Sequence, residues 1–261
     1  MQLSGNTILI TGGGSGIGLG LAEEFKRLGN EVIVAGRTRA KLKDAEAKGL
    51  HALTVDMNDE KSIASLAADA IAKFPALNVV IHNAGIMINE KLVKANNAQI
   101  AKDTIATNLT GPILLTTAIL PHLLKQKSAA IITVTSGLAY VPLVLAPTYS
   151  ATKGAIHSYT MSLRYQLQGT PVEVKELIPP YVRTALMGER QAADANAMPL
   201  DEFIAEVFSI LRGQPDAEAI AVKRAHPQVK AAFAGEEKYD EFFRTQSDRL
   251  MQARRAEWDA L

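Results

Sequence analysis

Near the start of the chain the run Thr11-Gly12-Gly13-Gly14-Ser15-Gly16-Ile17-Gly18 separates two apolar segments of different period. Ahead of it, residues 7–10 form a short, largely β-branched run suited to a buried strand. Behind it, Ile17, Leu21, Ala22, Phe25 and Leu28 recur at helical spacing, and Gly29 closes the segment. Four glycines and a serine between a strand and a helix let the backbone approach a pyrophosphate, with the unpaired N–H groups and positive dipole of the helix start facing it. A tight turn without a ligand is the alternative. The place of the turn inside a strand–helix–strand unit favours the nucleotide site.

The alternation set up by this junction continues. Strand-like runs at residues 31–35, 52–55, 78–82, 130–135 and 172–178 are separated by segments of helical period at residues 38–48, 100–127 and 148–167, with a further helix capped by Asn58 or Asp59 and ended by Pro75. Strands that are apolar throughout, rather than alternately, imply a parallel sheet covered on both faces, and the rhythm does not break between residues 6 and 178. One α/β domain is expected. Beyond Pro179-Pro180 the pattern loosens: residues 184–196 have no clear period, residues 199–211 read as a helix and residues 219–222 as a last strand. Residues 235–261 are strongly charged with interspersed aromatics, which reads as a surface or partner-packed helix or a frayed tail.

Composition removes several classes of function. The 261 residues carry a formal net charge of +1, so no basic surplus points to nucleic acid. No cysteine is present, which excludes disulfides, thiol nucleophiles and thiolate-bound zinc, and no metal site is expected. The longest apolar runs, such as residues 113–120, fall short of a membrane span, and residues 1–6 show no signal-peptide pattern. A cytoplasmic protein without membrane partners is expected.

The end of the second strand bears on which nucleotide is bound. An NAD site usually places a carboxylate there for the ribose 2′-hydroxyl. This chain reads Ala35-Gly36-Arg37-Thr38, and a guanidinium matches a phosphate in geometry and charge. NADP is therefore expected rather than NAD, with Arg37 and Thr38 at the 2′-phosphate. Asp56, at the end of the third strand, either meets the adenine or caps the following turn.

Tyr149 and Lys153 lie one helical turn apart, with Ser136 after an upstream apolar strand. An adjacent ammonium favours the phenolate and is expected to draw the phenol down toward working pH, making it a general acid/base.

With the Thr11–Gly18 run, Asn83-Ala84-Gly85, Asn108, Ser136 and the Tyr149/Lys153 pair standing in this order, residues 5–225 resemble the short-chain dehydrogenase/reductase family. The resemblance implies a doubly wound Rossmann sheet of about seven parallel strands with helices on both faces. Residues 1–225 would form the catalytic domain, including a substrate loop at 184–212, and residues 226–261 a C-terminal helical extension. It also implies roles. Tyr149 would exchange a proton with the carbonyl oxygen, Ser136 would polarise that oxygen, and Lys153 would hold the nicotinamide ribose. Asn108 would position a water. Gly12, Ser15, Gly16, Ile17, Gly18, Arg37, Thr38, Asp56, Asn83, Ala84, Gly85, Val182 and Thr184 would complete the cofactor contacts together with Tyr149 and Lys153. A homodimer or homotetramer is implied, with the helices at residues 100–125 and 149–168 able to pair two subunits.

Three departures stand out. His82 replaces a common Asn, Pro180 replaces a Gly and stiffens the nicotinamide-side segment, and a charged ending replaces the familiar glycine-rich one. The last two features are similar to the DltE-like oxidoreductase branch. The expected activity is NADP(H)-dependent interconversion of a small-molecule carbonyl and a secondary alcohol. Met87, Leu138, Ala139, Tyr140, Val141, Leu143, Leu186 and Met187 give a mostly apolar candidate pocket wall. A non-catalytic NADP-binding regulator of the same fold is the alternative; a sugar-nucleotide epimerase or dehydratase would need a longer chain and another glycine spacing.

Overall fold

Seven parallel strands lie side by side in the order β3-β2-β1-β4-β5-β6-β7 in the computed structural model, which describes residues 1–94 and 97–260. They are β1 (Thr7–Thr11), β2 (Glu31–Gly36), β3 (His51–Thr54), β4 (Leu77–His82), β5 (Ala129–Val134), β6 (Val172–Ile178) and β7 (Ala219–Ala221). The expected doubly wound sheet is thus observed. Every residue of β1 and β5 is buried, which is why their sequences are apolar without alternation.

Helices α1 (Gly16–Arg27), α2 (Arg39–Ala47), α3 (Glu60–Lys73), α4 (Ala98–Ile105), α5 (Gly111–Leu123) and α6 (Pro147–Gln166) connect the first six strands. Asp59 caps α3, its carboxylate accepting from the Lys61 N–H at 3.0 Å. The later helices are α7 (Glu189–Ala193), α8 (Leu200–Gly213), α9 (His226–Ala231), α10 (Glu236–Ala253) and α11 (Arg255–Ala260). On one face α1 and α8 bury Phe25, Phe203 and Phe208, with Phe25 and Phe208 edge-to-face at 4.8 Å between ring centres. On the other, Leu66, Leu115 and Leu163 from α3, α5 and α6 cover Leu9, Val80 and Ile131.

The continuous stretch Ala98–Leu123 is 26 residues long, and its most apolar window has a mean hydropathy of 1.2, enough by length and composition alone to cross a membrane. In the fold it is a layer helix: 44 % of its most apolar part is buried. The charged ending forms α10 and α11. No residue of α10 is buried, and the Trp258 carbonyl accepts from Lys91 Nζ at 2.8 Å while the ammonium lies 5.1 Å from the indole centre. Lys91 thus ties α11 to the segment after β4, and Leu261, the expected last residue of the extension, lies outside the described residues.

Candidate active site

After β1 the chain moves outward to β2 and β3, and after β4 it moves the other way, so a crevice opens at the carboxyl ends of the neighbouring strands β1 and β4. The glycine-rich turn closes that crevice against the segment after β4. Gly12 has φ 66°, and a Cβ there would stand 2.8 Å from the Ala84 Cα. A Cβ on Gly18 would collide with the Asn83 amide and stand 2.5 Å from the Gly12 carbonyl oxygen. The Asn83 side-chain amide donates to the carbonyls of Thr11 (3.1 Å) and Gly12 (3.2 Å). The Thr11 hydroxyl oxygen accepts from the N–H groups of Asn83 and Ala84, both at 3.1 Å. Asn83 therefore shapes the turn with its side chain.

A cleft of about 200 Å³ lies on this turn. Gly12, Gly14 and Ser15 form one wall, Arg37, Thr38 and Lys41 the other, and Ala84 and Gly85 the inner end. Ser15 and Thr38 head α1 and α2, yet neither hydroxyl caps its own helix. Among the described residues no acidic side chain lines the cleft, and Arg37 and Lys41 make no ion pair. Bare glycine backbone, two uncommitted hydroxyls and two cations suit a phosphorylated dinucleotide.

Not every expected cofactor residue lies on these walls. The Asp56 carboxylate accepts from the Asn58 N–H at 2.9 Å, the turn-capping use, and it is not among the lining residues. Ile17 packs into the core, and Gly16 faces the Thr184 side chain, where a Cβ would sit at 3.4 Å. Val182 is buried and bridges to Met198. Gln191, which the sequence did not single out, donates to the Val182 carbonyl at 2.8 Å and the Thr184 hydroxyl at 3.2 Å.

The catalytic candidates converge from β5 and α6. Ser136 lies two residues beyond β5 and heads a single 3₁₀ turn, Gly137–Ala139, where its Oγ accepts from the Leu138 N–H at 3.1 Å. Pro147 opens α6, and Tyr149 and Lys153 face the core at 7 % and 5 % exposure. Lys153 Nζ donates to the Val134 carbonyl, two residues before Ser136, at 2.7 Å. It lies 5.5 Å from the centre of the Tyr149 ring.

The expected depression of the phenol is not reached. Burial pushes the Tyr149 phenol above its ordinary value by desolvating the phenolate. The same burial lowers Lys153 to about 8.

Asn108 lies in a π turn, Ala106–Thr110, between α4 and α5. Its carbonyl oxygen accepts from the Ile86 N–H at 2.8 Å, and its amide donates to the Ile86 carbonyl (2.9 Å) and the Thr152 hydroxyl (3.3 Å). The side chain thus ties the segment after β4 to α6. His82 is buried, with Nε2 2.9 Å from the Thr116 hydroxyl. That hydroxyl donates to Pro112, so Nε2–H is the donor and Nδ1 is left without a partner. Burial lowers His82 to about 4 and keeps it neutral.

The model of the family described as short chain dehydrogenase matches residues 6–195. An uncharacterized oxidoreductase, DltE, of Bacillus subtilis is 43 % identical over 189 residues, covering 71 % of this chain and 75 % of the relative. A short-chain dehydrogenase from Burkholderia cenocepacia in complex with NADP superposes with a TM-score of 0.78 at 23 % identity, covering 92 % of this chain and 97 % of that one. A 3-ketoacyl-(acyl-carrier-protein) reductase from Brucella melitensis complexed with NADH gives a TM-score of 0.75 at 25 % identity, covering 86 % and 100 %. The switch-point cleft, the buried Tyr149–Lys153 turn and these matches agree, and the chain belongs to the short-chain dehydrogenase/reductase family of NAD(P)-dependent oxidoreductases.

Proposed function

We propose that the protein interconverts a carbonyl and a secondary alcohol with NADP(H), with Tyr149 as general acid/base. The observation that carries this reading is the buried Tyr149–Lys153 turn beside Ser136 at the end of β5. A bound nicotinamide supplies or accepts the hydride. The protonated phenol of Tyr149 donates to the carbonyl oxygen in the reductive direction, and Ser136 Oγ orients that oxygen by a hydrogen bond. Lys153, fixed on Val134, has two further N–H bonds for the ribose hydroxyls. Its charge stabilises the phenolate left after proton transfer. Asn108 holds Ile86 and Thr152 in place around this set.

Arg37, Thr38 and Lys41 support NADP over NAD, since one wall of the cleft carries two cations and no carboxylate. Gly12, Ser15, Gly16, Ile17, Gly18, Asn83, Ala84, Gly85, Val182 and Thr184 form and support the cofactor path in this reading, and Asp56 closes the turn beside it. Residues 1–225 act as the catalytic unit, with 184–212 as the substrate loop and 226–261 as the extension. The exposed Met161 and Tyr165 on α6, with Ile105 and Leu124 near the ends of the α4–α5 stretch, supply an apolar face on which two copies in the cytoplasm can pair.

The test is oxidation of NADPH, followed by its absorbance, with phenanthrenequinone as a probe carbonyl. Wild-type protein is expected to turn over and Tyr149→Phe to be silent; equal rates in both would overturn the assignment of Tyr149.

A further inference from the structure

Glu90 is a buried carboxylate that the reaction as described does not use. It lies in the segment after β4, is 2 % exposed, and among the described residues has no cationic partner. Both of its carboxylate oxygens accept from one residue. The Thr148 N–H reaches Oε1 at 3.0 Å and the Thr148 hydroxyl reaches Oε2 at 2.7 Å. The Glu90 N–H also donates to the Leu145 carbonyl at 2.8 Å. Thr148 is the second residue of α6, immediately before Tyr149.

That helix has no cap of its own: Ala146 at its N-cap offers no side-chain acceptor, and its first turn contains no acidic residue. A carboxylate from 58 residues upstream accepts from the Thr148 N–H and hydroxyl and faces the positive end of the helix dipole. The same segment carries Ala84, Gly85 and Ile86 along the cleft, and Asn108 fixes Ile86. A local Asp at the N-cap would stabilise the helix equally well, but it would not register the helix against the cleft.

We infer that Glu90 is a positioning residue, a cap supplied by the cleft-lining segment that sets the place of Tyr149 relative to the cofactor path. The inference builds on the reading of Tyr149 as acid/base, so its test reads Tyr149 without a substrate. Protein labelled with ¹³C at the tyrosine ring Cζ is compared for wild type and Glu90→Gln, the Tyr149 resonance being assigned by its loss in Tyr149→Phe. Glu90→Gln keeps the shape of the side chain but has one acceptor oxygen for two donors.

The Tyr149 resonance is expected to shift and broaden while those of Tyr140 and Tyr159 stay in place. NADPH affinity should remain within about twofold, and kcat on phenanthrenequinone should fall on the order of tenfold at unchanged KM. A Tyr149 resonance superimposable on the wild type overturns the inference. Should Glu90→Gln fail to fold, Thr148→Val removes only the hydroxyl donor. The same shift, smaller, is then expected, and its absence again overturns the inference. A displaced Tyr149 resonance together with normal turnover by Tyr149→Phe would uphold the positioning and sink the acid/base assignment instead.

Discussion

The cleft half of the candidate site presents exposed cations and bare backbone, whereas the other half, Ser136, Tyr149 and Lys153, lies outside the cleft lining, buried and packed on strand β5 and helix α6. The exposed half is adaptable. Arg37 and Lys41 sit in water, and their worth arises only when a phosphate replaces that water with charge-assisted bonds. The buried half is set in advance. Lys153 is anchored by a backbone carbonyl and Tyr149 is desolvated, so in the proposed reaction both would act without reorganising. In the proposed reading affinity and chemistry fall on separate elements, and substitutions should separate them.

The largest separation is expected at the phenol. Tyr149→Phe should lower kcat about 10²–10⁴-fold, the usual contribution of a positioned acid/base, while the NADPH dissociation constant stays unchanged. Equal losses in both, read by steady-state kinetics and fluorescence titration, would mean that the two halves are not separable.

The buried layer beneath the cleft should respond to acid where the exposed wall does not. His82 has its pKa lowered from 6.5 to about 4 by burial, so the unfolded chain binds a proton there that the folded chain refuses. The His82 share of stability is complete above pH 6.5 and is lost as the pH falls toward 4, by about 3 kcal/mol. Denaturant unfolding across this window should show that excess slope in wild type relative to His82→Asn; identical slopes would contradict it.

Gly18→Ala tests the joint between the halves. The added Cβ meets the Asn83 amide and the Gly12 carbonyl, so the turn must yield at a cost of about 1–3 kcal/mol in thermal or denaturant unfolding. A variant as stable as wild type would show that the turn adapts freely. The smallest effect is expected on the exposed wall. Arg37→Ala should weaken NADPH about tenfold and leave NADH unchanged, and an equal loss for both cofactors would remove Arg37 from the 2′-phosphate.

Much of the fold is legible because its strands are buried on both faces and its turns are punctuated. Thr11–Gly18 and the Gly29 and Gly49 stops give the first half, and the order of Ser136, Tyr149 and Lys153 behind the glycine-rich turn carries the family resemblance. What escaped depends on contacts made across the chain. Glu90 is not singled out by its sequence, since nothing local announces that Thr148 lies against it. Gln191 sits on α7, whose five residues are too few to show a period. Lys41 was within reach, being four residues beyond Arg37 on a recognised helix. The rise of Tyr149 was not, because spacing brings an ammonium near but says nothing of how far burial outweighs it.

The most direct test of the account is a parallel fluorescence titration of the purified protein with NADPH and NADH. Saturable binding of both is expected, with NADPH tighter by at least about tenfold from the Arg37 wall. Tighter binding of NADH, or binding of neither, would contradict it.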